Sequence, residues 1–228
     1  MDKHYLNPLF CPESIVVFAG PVDDPSSLSG HARTLVESLR AQAFAGTLTF
    51  LDIHTTGTLA DLAQTRADLA IIALPVEDVA AALEVAGRIR CRAALVISSG
   101  IDAKLAAELH QSARHHGMHL LGPNCLGFQR PFSRLNASVA GGLAASGPLA
   151  LVSQSGALTA SILDWARQNG VGFSTVVSLV LGLYPAPLVS ILRSASDAML
   201  TSDADARRGY AGLTIPPKIG AGPTESQP

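Results

Sequence analysis

The feature that most constrains this sequence is an alternation of two patterns. Short runs of aliphatic and β-branched residues, at 14–20 (SIVVFAG), 47–53 (TLTFLDI), 68–75 (DLAIIALP), 93–100 (AALVISSG) and 119–124, are strand-length and bounded by turn residues. Between them the apolar residues recur at helical spacing. Leu35, Val36, Leu39 and Ala43 form one stripe, Val79, Leu83, Ala86 and Ile89 a second, and Leu105 with Leu109 a third behind Asp102, which reads as an N-cap. Strand and helix alternating with short connections predict an α/β protein, a Rossmann-type doubly wound parallel sheet. Ligands of such sheets sit at the carboxyl ends of the strands.

The pattern breaks after Arg130. Residues 137–148 are rich in Gly, Ala and Ser and read as an interdomain connection. A strand at 149–152, the turn Ser153-Gln154-Ser155-Gly156, a helix and a strand at 173–179 then form one further β-α-β unit. Leu158, Ile162 and Trp165 share a face of that helix, and Trp165 reads as core. One such unit cannot cover both faces of a sheet, so a second domain is expected to begin here and remain incomplete. The expected division is 6–134 for the first domain, 148–179 for the start of the second and 180–228 for a disordered tail. The last 49 residues hold six of the 14 prolines, without sustained periodicity.

Charge and cysteine usage narrow the function classes. Sixteen Lys and Arg against 18 Asp and Glu give a net charge of −2, which argues against a nucleic-acid binder. Cys11, Cys91 and Cys125 are odd in number and lack CxxC spacing, as expected of reduced thiols in a cytoplasmic protein. The first 14 residues carry charge and two prolines and have no apolar secretory core. The charge-free stretches 135–163 and 171–192 are broken by Gly, Ser, Gln or Pro and read as buried strands rather than membrane spans.

Several residues invite a chemical reading. The loop 20–30 joins the first strand to the first helix and could present backbone amides to a phosphate at the helix start, although it lacks GxGxxG spacing. Asp52 lies where a dinucleotide's ribose partner would stand, or is simply a solvated strand-end carboxylate. His110, His115, His116 and His119 cluster on a helix and its exit, and the reading preferred is a solvated face rather than a metal site. Cys125 reads as a packed turn residue, and Pro123 with Asn124 as shaping a strand-exit turn. Three strand ends are expected to converge on one edge: Ala73-Leu74-Pro75, Ile97-Ser98-Ser99-Gly100, and the segment from Gly122 to Gly127.

At those segments a family resemblance becomes specific. A strand ending in apolar-Pro, another ending in ISSG, then LLGPNCLG, LNAS and SQSGAL resemble the coenzyme A-binding domain and following flavodoxin-like domain of NDP-forming acyl-CoA synthetases. Succinyl-CoA synthetase α subunits are more distant relatives. LNAS together with ILDWA and GFS looks most like the synthetase-like region of protein lysine acetyltransferases. The resemblance implies coenzyme A or acyl-CoA as the ligand. Gly20, Ser29 and Gly30 would cradle its phosphates, and Leu74, Pro75, Ile97, Ser98, Ser99, Gly100 and Asn124 would line it. Many relatives carry a lysine after the second strand. Here the chain reads Asp52-Ile53-His54, which makes His54 the candidate phosphate contact. Ser153, Ser155 and Gly156 would open a helix facing a phosphohistidine, and no histidine of this chain stands in the matching motif.

The expectation is therefore a CoA-binding module that is not catalytic on its own. It would work with a chain carrying the missing synthetase or acetyltransferase domains, without nucleic acid or membrane, and with a tendency to self-associate. An NAD(P)-binding Rossmann protein and a nonfunctional gene fragment are the alternatives.

Overall fold

The computed structural model describes residues 4–54 and 66–178. The tail expected at 180–228 lies outside them.

Ser14–Phe18 (β1), Thr47–Leu51 (β2), Leu69–Ile72 (β3), Ala93–Val96 (β4) and His119–Leu121 (β5) form one parallel sheet in the order β2-β1-β3-β4-β5. Each predicted run yields its strand, shortened at its carboxyl end where the chain turns into a loop. β3 and β4 are buried at every position, which is why both read as continuous apolar runs without alternation. Helix α1 (Asn7–Phe10) precedes β1; α2 (Gly30–Arg40) links β1 to β2, α3 (Val76–Arg88) links β3 to β4, and α4 (Ala103–His115) links β4 to β5.

The predicted stripes are the buried faces. Leu35, Val36 and Leu39 of α2 and Val79, Leu83 and Ala86 of α3 are all buried, whereas Ala43 lies beyond α2 and is exposed. α3 and α4 pack on one face of the sheet over Val16, Phe18, Ala70, Ile72, Ala94 and Val96. From β1 the order runs outward in both directions, so right-handed crossovers send α2 to the opposite face. That reversal between β1 and β3 opens a crevice at the carboxyl edge. Asp102 caps α4 as expected, its Oδ1 accepting from the Leu105 amide at 2.8 Å.

The second sheet draws in more of the chain than its sequence suggested. Gly127–Arg130 (β6), Leu135–Ser138 (β7), Ser146–Ser153 (β8) and Phe173–Ser178 (β9) pair in the order β7-β6-β9-β8. β8 and β9 are parallel, joined by α5 (Gly156–Gln168), and β6 runs antiparallel to both β7 and β9. The Gly/Ala/Ser-rich stretch is therefore not a free connection. Only residues 139–145 lie outside strands, and they are pinned. Gln129 donates to the Gly142 carbonyl at 3.2 Å and accepts from the Ala144 amide at 2.9 Å, and Asn136 donates to the Gly141 carbonyl at 2.9 Å.

One core assignment is corrected. Trp165 is 57% exposed and Leu158 55% exposed. α5 buries Thr159, Leu163 and Ala166 instead, a stripe about 100° round the helix, of which Leu163 and Ala166 pack with Phe173 and Val176. Among the described residues no helix is long and apolar enough to cross a membrane.

Candidate functional site at the carboxyl edge

The edge is built from the ends of β1, β3, β4 and β5. β1 runs into Gly20, which holds φ +91°, a conformation that suits glycine and turns the chain into the 20–30 loop. Asp24 organises that loop: its side chain accepts from the Ser26 amide at 3.1 Å, and its carbonyl accepts from the Ser27 hydroxyl at 2.8 Å. Ser29 is the N-cap of α2, its Oγ accepting from the Ala32 amide at 3.2 Å. The first amides of the helix, at Gly30 and His31, are left without an intrahelical acceptor. A Cβ at Gly30 would meet nothing within 4 Å, so the approach to these amides is open. Free amides at the positive end of a helix are chemically suited to an anion.

Arg33, in the first turn of α2, reaches back to this loop and was not singled out from the sequence. Its Nε donates to the Pro25 carbonyl at 3.2 Å, which holds the loop against α2. Its position, one turn past the Ser29 cap, was the available signal. The loop and α2 also border an open recess of about 380 Å³, lined by Val22, Pro25, Leu28, Val36 and Ala41 with Arg33, Glu37 and Arg40.

Ser98 ties the centre of the edge together. It is 4% exposed, and its Oγ accepts from the Leu74 amide at 2.9 Å while donating to the Leu74 carbonyl at 2.6 Å. Its own carbonyl accepts from the Asn124 amide at 3.1 Å. A continuous set of hydrogen bonds thus joins the ends of β3, β4 and β5. Ile97 is fully buried, so Ile97 and Ser98 act as the floor of the edge, while Ser99 and Gly100 are exposed above it. Pro75 is exposed as the residue preceding α3. Gly100 holds φ +80° and Asn124 φ +57°, two left-handed turns at the ends of β4 and β5.

Behind Asn124, Cys125 is 3% exposed and its Sγ donates to the Val96 carbonyl at 3.4 Å. Burial pushes its thiol up to about 12, the behaviour of a packed residue rather than a nucleophile. Burial does the same to Cys91, also up to about 12, while Cys11 is exposed.

His54 stands apart from the other candidates in its bonding. Its amide donates to Asp52 Oδ1 at 2.9 Å, and its Nε2 lies 3.2 Å from Asp78 Oδ2 in the first turn of α3. The imidazole is thus engaged with a carboxylate, and Asp52 with the turn that follows β2.

The α5 start is built in the same manner as the α2 start. Ser155 caps the helix, its Oγ accepting from the Leu158 amide at 3.3 Å. Ser153 Oγ accepts from the Ser155 amide at 3.1 Å and donates to the Ser155 carbonyl at 3.2 Å. A Cβ on Gly156 would lie 2.9 Å from Leu126 Cδ1, so the absent side chain at 156 lets the β5–β6 loop pass against the helix start. The two sets of candidate residues therefore meet through Leu126 and Gly156.

The histidines do not assemble. His116 Nε2 lies 2.8 Å from Glu84 Oε2 and its ring meets that of His115 edge-on, while the His119 ring lies against Tyr5. Among the described residues no group of three or more His, Cys, Asp or Glu could hold a metal ion.

Comparison with known proteins finds relatives of both sheets. Residues 46–131 match the CoA binding domain family, and residues 146–180 match the succinyl-CoA ligase like flavodoxin domain family. Acetate–CoA ligase (ADP-forming) I of Archaeoglobus fulgidus is 43% identical over 118 residues, covering 49% of this chain and 17% of that protein. The α subunit of acetate–CoA ligase (ADP-forming) I from Pyrococcus furiosus is 36% identical over 118 residues, covering 49% of this chain and 26% of the subunit. The dinucleotide-forming acetyl-coenzyme A synthetase 1 of Ca. Korarchaeum cryptofilum, in its apo form, superposes with a TM-score of 0.70 at 26% identity, covering 82% of this chain and 43% of that one. The chain thus spans less than half the length of each of these proteins.

Proposed function

Because this chain carries a CoA-binding domain and a succinyl-CoA ligase-like segment, and its homologues are NDP-forming acetyl-CoA synthetases, we propose that it binds coenzyme A or acyl-CoA at the carboxyl edge of the five-stranded sheet. The observation that carries this reading is the convergence of the 20–30 loop, Leu74–Pro75, Ser98–Gly100 and Asn124 on the crevice beside β1 and β3. The residues there suit the ligand. The open α2 start offers amides to a phosphate at Gly30, with Gly20 and Ser29 shaping the approach. Ser99 and Gly100 offer exposed backbone along the edge, above a floor formed by Ile97, Ser98 and Leu74. His54 would meet an anion only by leaving Asp78, which makes it the weakest of the proposed contacts.

The α5 start, with Ser153, Ser155 and Gly156, would face a phosphoryl group, again through helix-terminal amides. All seven histidines lie before β6, so none stands on the second sheet or its helix. We infer that the chain is a binding module without synthetase or acetyltransferase activity of its own, which works with a chain supplying the acceptor histidine and the nucleotide site. The naming of the Pyrococcus relative as a subunit supports that division of labour.

Calorimetry on the full chain with coenzyme A, acetyl-CoA and NAD in parallel tests the ligand. The thioester or free thiol form binds more tightly than NAD. A clear preference for NAD would overturn the reading and return Asp52 to the role of ribose partner.

A further inference from the structure

The carboxyl edge proposed above to hold coenzyme A is acidic. The segments that leave the five strands there carry Asp23, Asp24, Asp52, Glu77, Asp78 and Asp102, against Arg33 and Lys104. Arg33 already donates its Nε to the Pro25 carbonyl, and Lys104 stands two residues after the Asp102 carboxylate. Between His54 and Arg66 the sequence supplies one charged residue, Asp61, and no lysine, arginine or histidine.

The helix starts at this edge are not equivalent. α3 has Glu77 and Asp78 in its first turn and α4 is capped by Asp102, so a carboxylate already complements the positive end of each. Among the described residues only α2 begins there with a neutral cap, Ser29, and no acid in its first turn. Its amides suit one diphosphate. The remaining candidate for a phosphate contact is His54, and its Nε2 lies 3.2 Å from Asp78 Oδ2. Even as an imidazolium it would be matched by that carboxylate.

We propose that this edge selects against the 3′-phosphate of coenzyme A, with Asp78 as the specificity-determining residue. The ligand it takes is then a pantetheine joined through a diphosphate to an adenosine whose ribose is bare: dephospho-coenzyme A or its acyl thioester. The inference rests on the reading of the edge as a coenzyme A-type site. A phosphate monoester brings nearly two further negative charges at neutral pH. With the diphosphate at the α2 start, the 3′-phosphate has to lie elsewhere along an edge where carboxylates outnumber cations. Repulsion between such charges is felt over about 10 Å at 0.1 M salt. Asp78 acts twice, through its own charge and through its hold on the one imidazole that could offset the phosphate.

Coenzyme A and dephospho-coenzyme A differ in that one phosphate, so calorimetry of the full chain with each isolates its effect. At low ionic strength dephospho-coenzyme A should bind about tenfold more tightly, and the gap should narrow as salt is added. Asp78→Asn removes the carboxylate and frees His54. It should tighten coenzyme A several-fold and leave dephospho-coenzyme A nearly unchanged, with the circular dichroism spectrum kept. Equal or tighter binding of coenzyme A by the unaltered chain overturns the inference and leaves the site standing. An Asp78→Asn variant with an unchanged ratio of the two affinities also overturns it, because the carboxylate then has no part in the choice. Binding of neither ligand overturns the site itself, and this inference with it.

Discussion

Ser98 holds Leu74 by both backbone groups at once: its hydroxyl accepts from the Leu74 amide at 2.9 Å and donates to the Leu74 carbonyl at 2.6 Å. Such a clasp satisfies the buried backbone of Leu74 just past the end of β3, where the sheet ladder has stopped. Ser98→Ala would strand a buried donor and a buried acceptor. The expected cost is about 1–3 kcal/mol of folding stability, read as a lower urea midpoint. Affinity for coenzyme A should fall as well, because Leu74, at the proposed site, loses both bonds that the Ser98 hydroxyl makes to its backbone.

Gly100 holds φ +80°, and a Cβ there would lie 3.5 Å from Val76 Cγ2, so the position has some room but an unusual backbone. Gly100→Glu would add strain together with negative charge at the edge proposed to meet an anionic ligand. Coenzyme A binding should be lost in calorimetry while the thermal transition persists. Unchanged binding by the folded variant would place the ligand elsewhere.

The three cysteines should separate by kinetics. Cys11 is exposed, whereas burial holds the Cys91 and Cys125 thiols up to about 12. A thiol reagent at neutral pH should therefore modify one group quickly and the other two only after unfolding. Rapid reaction of all three in the native protein would contradict the packing at Val96 and Cys125.

His110 and His119 set a pH dependence. Burial lowers both pKa values from the usual imidazole range, with the Arg114 charge adding to the effect at His110. The unfolded chain then binds more protons than the folded one below pH of about 6.5, so stability is full above that pH and declines as the pH falls towards the folded values. The melting temperature should drop on mild acidification, and the double variant His110→Gln, His119→Gln should flatten that slope.

No acid-stable or acid-labile phosphoryl group should appear on the purified chain incubated with ATP or GTP. Phosphoryl transfer needs a positioned acceptor and an electrostatic clamp, and all seven histidines precede the second sheet. A phosphohistidine detected on this chain alone would overturn the binding-module reading.

The first sheet was legible in the sequence because β3 and β4 are buried on both faces and its helices on one, so period and burial coincide. Of the second sheet only the β8-α5-β9 unit was legible, and β6 and β7 were not. β6 and β7 are four residues each, and what holds them is the Gln129 and Asn136 side chains bonding to the 141–144 loop, contacts that leave no periodic trace. Trp165 misled for a different reason: apolar spacing shows that a face exists and not which neighbour covers it. At the site, the turn glycines and the Ser155 cap were readable as motifs, whereas the Ser98–Leu74 clasp and the His54–Asp78 pair depend on strand order and appear only in three dimensions.

The contact of Leu126 with Gly156 has a consequence for how these sequences can change. With only 2.9 Å between Leu126 Cδ1 and a would-be Cβ, a side chain gained at 156 calls for another rotamer of Leu126, a smaller residue there or a displaced loop. The two positions constrain each other. GPNCLG and SQSG, which read as two independent signatures along the chain, are halves of one steric fit, and across homologues substitutions at 126 and 156 should arrive in pairs.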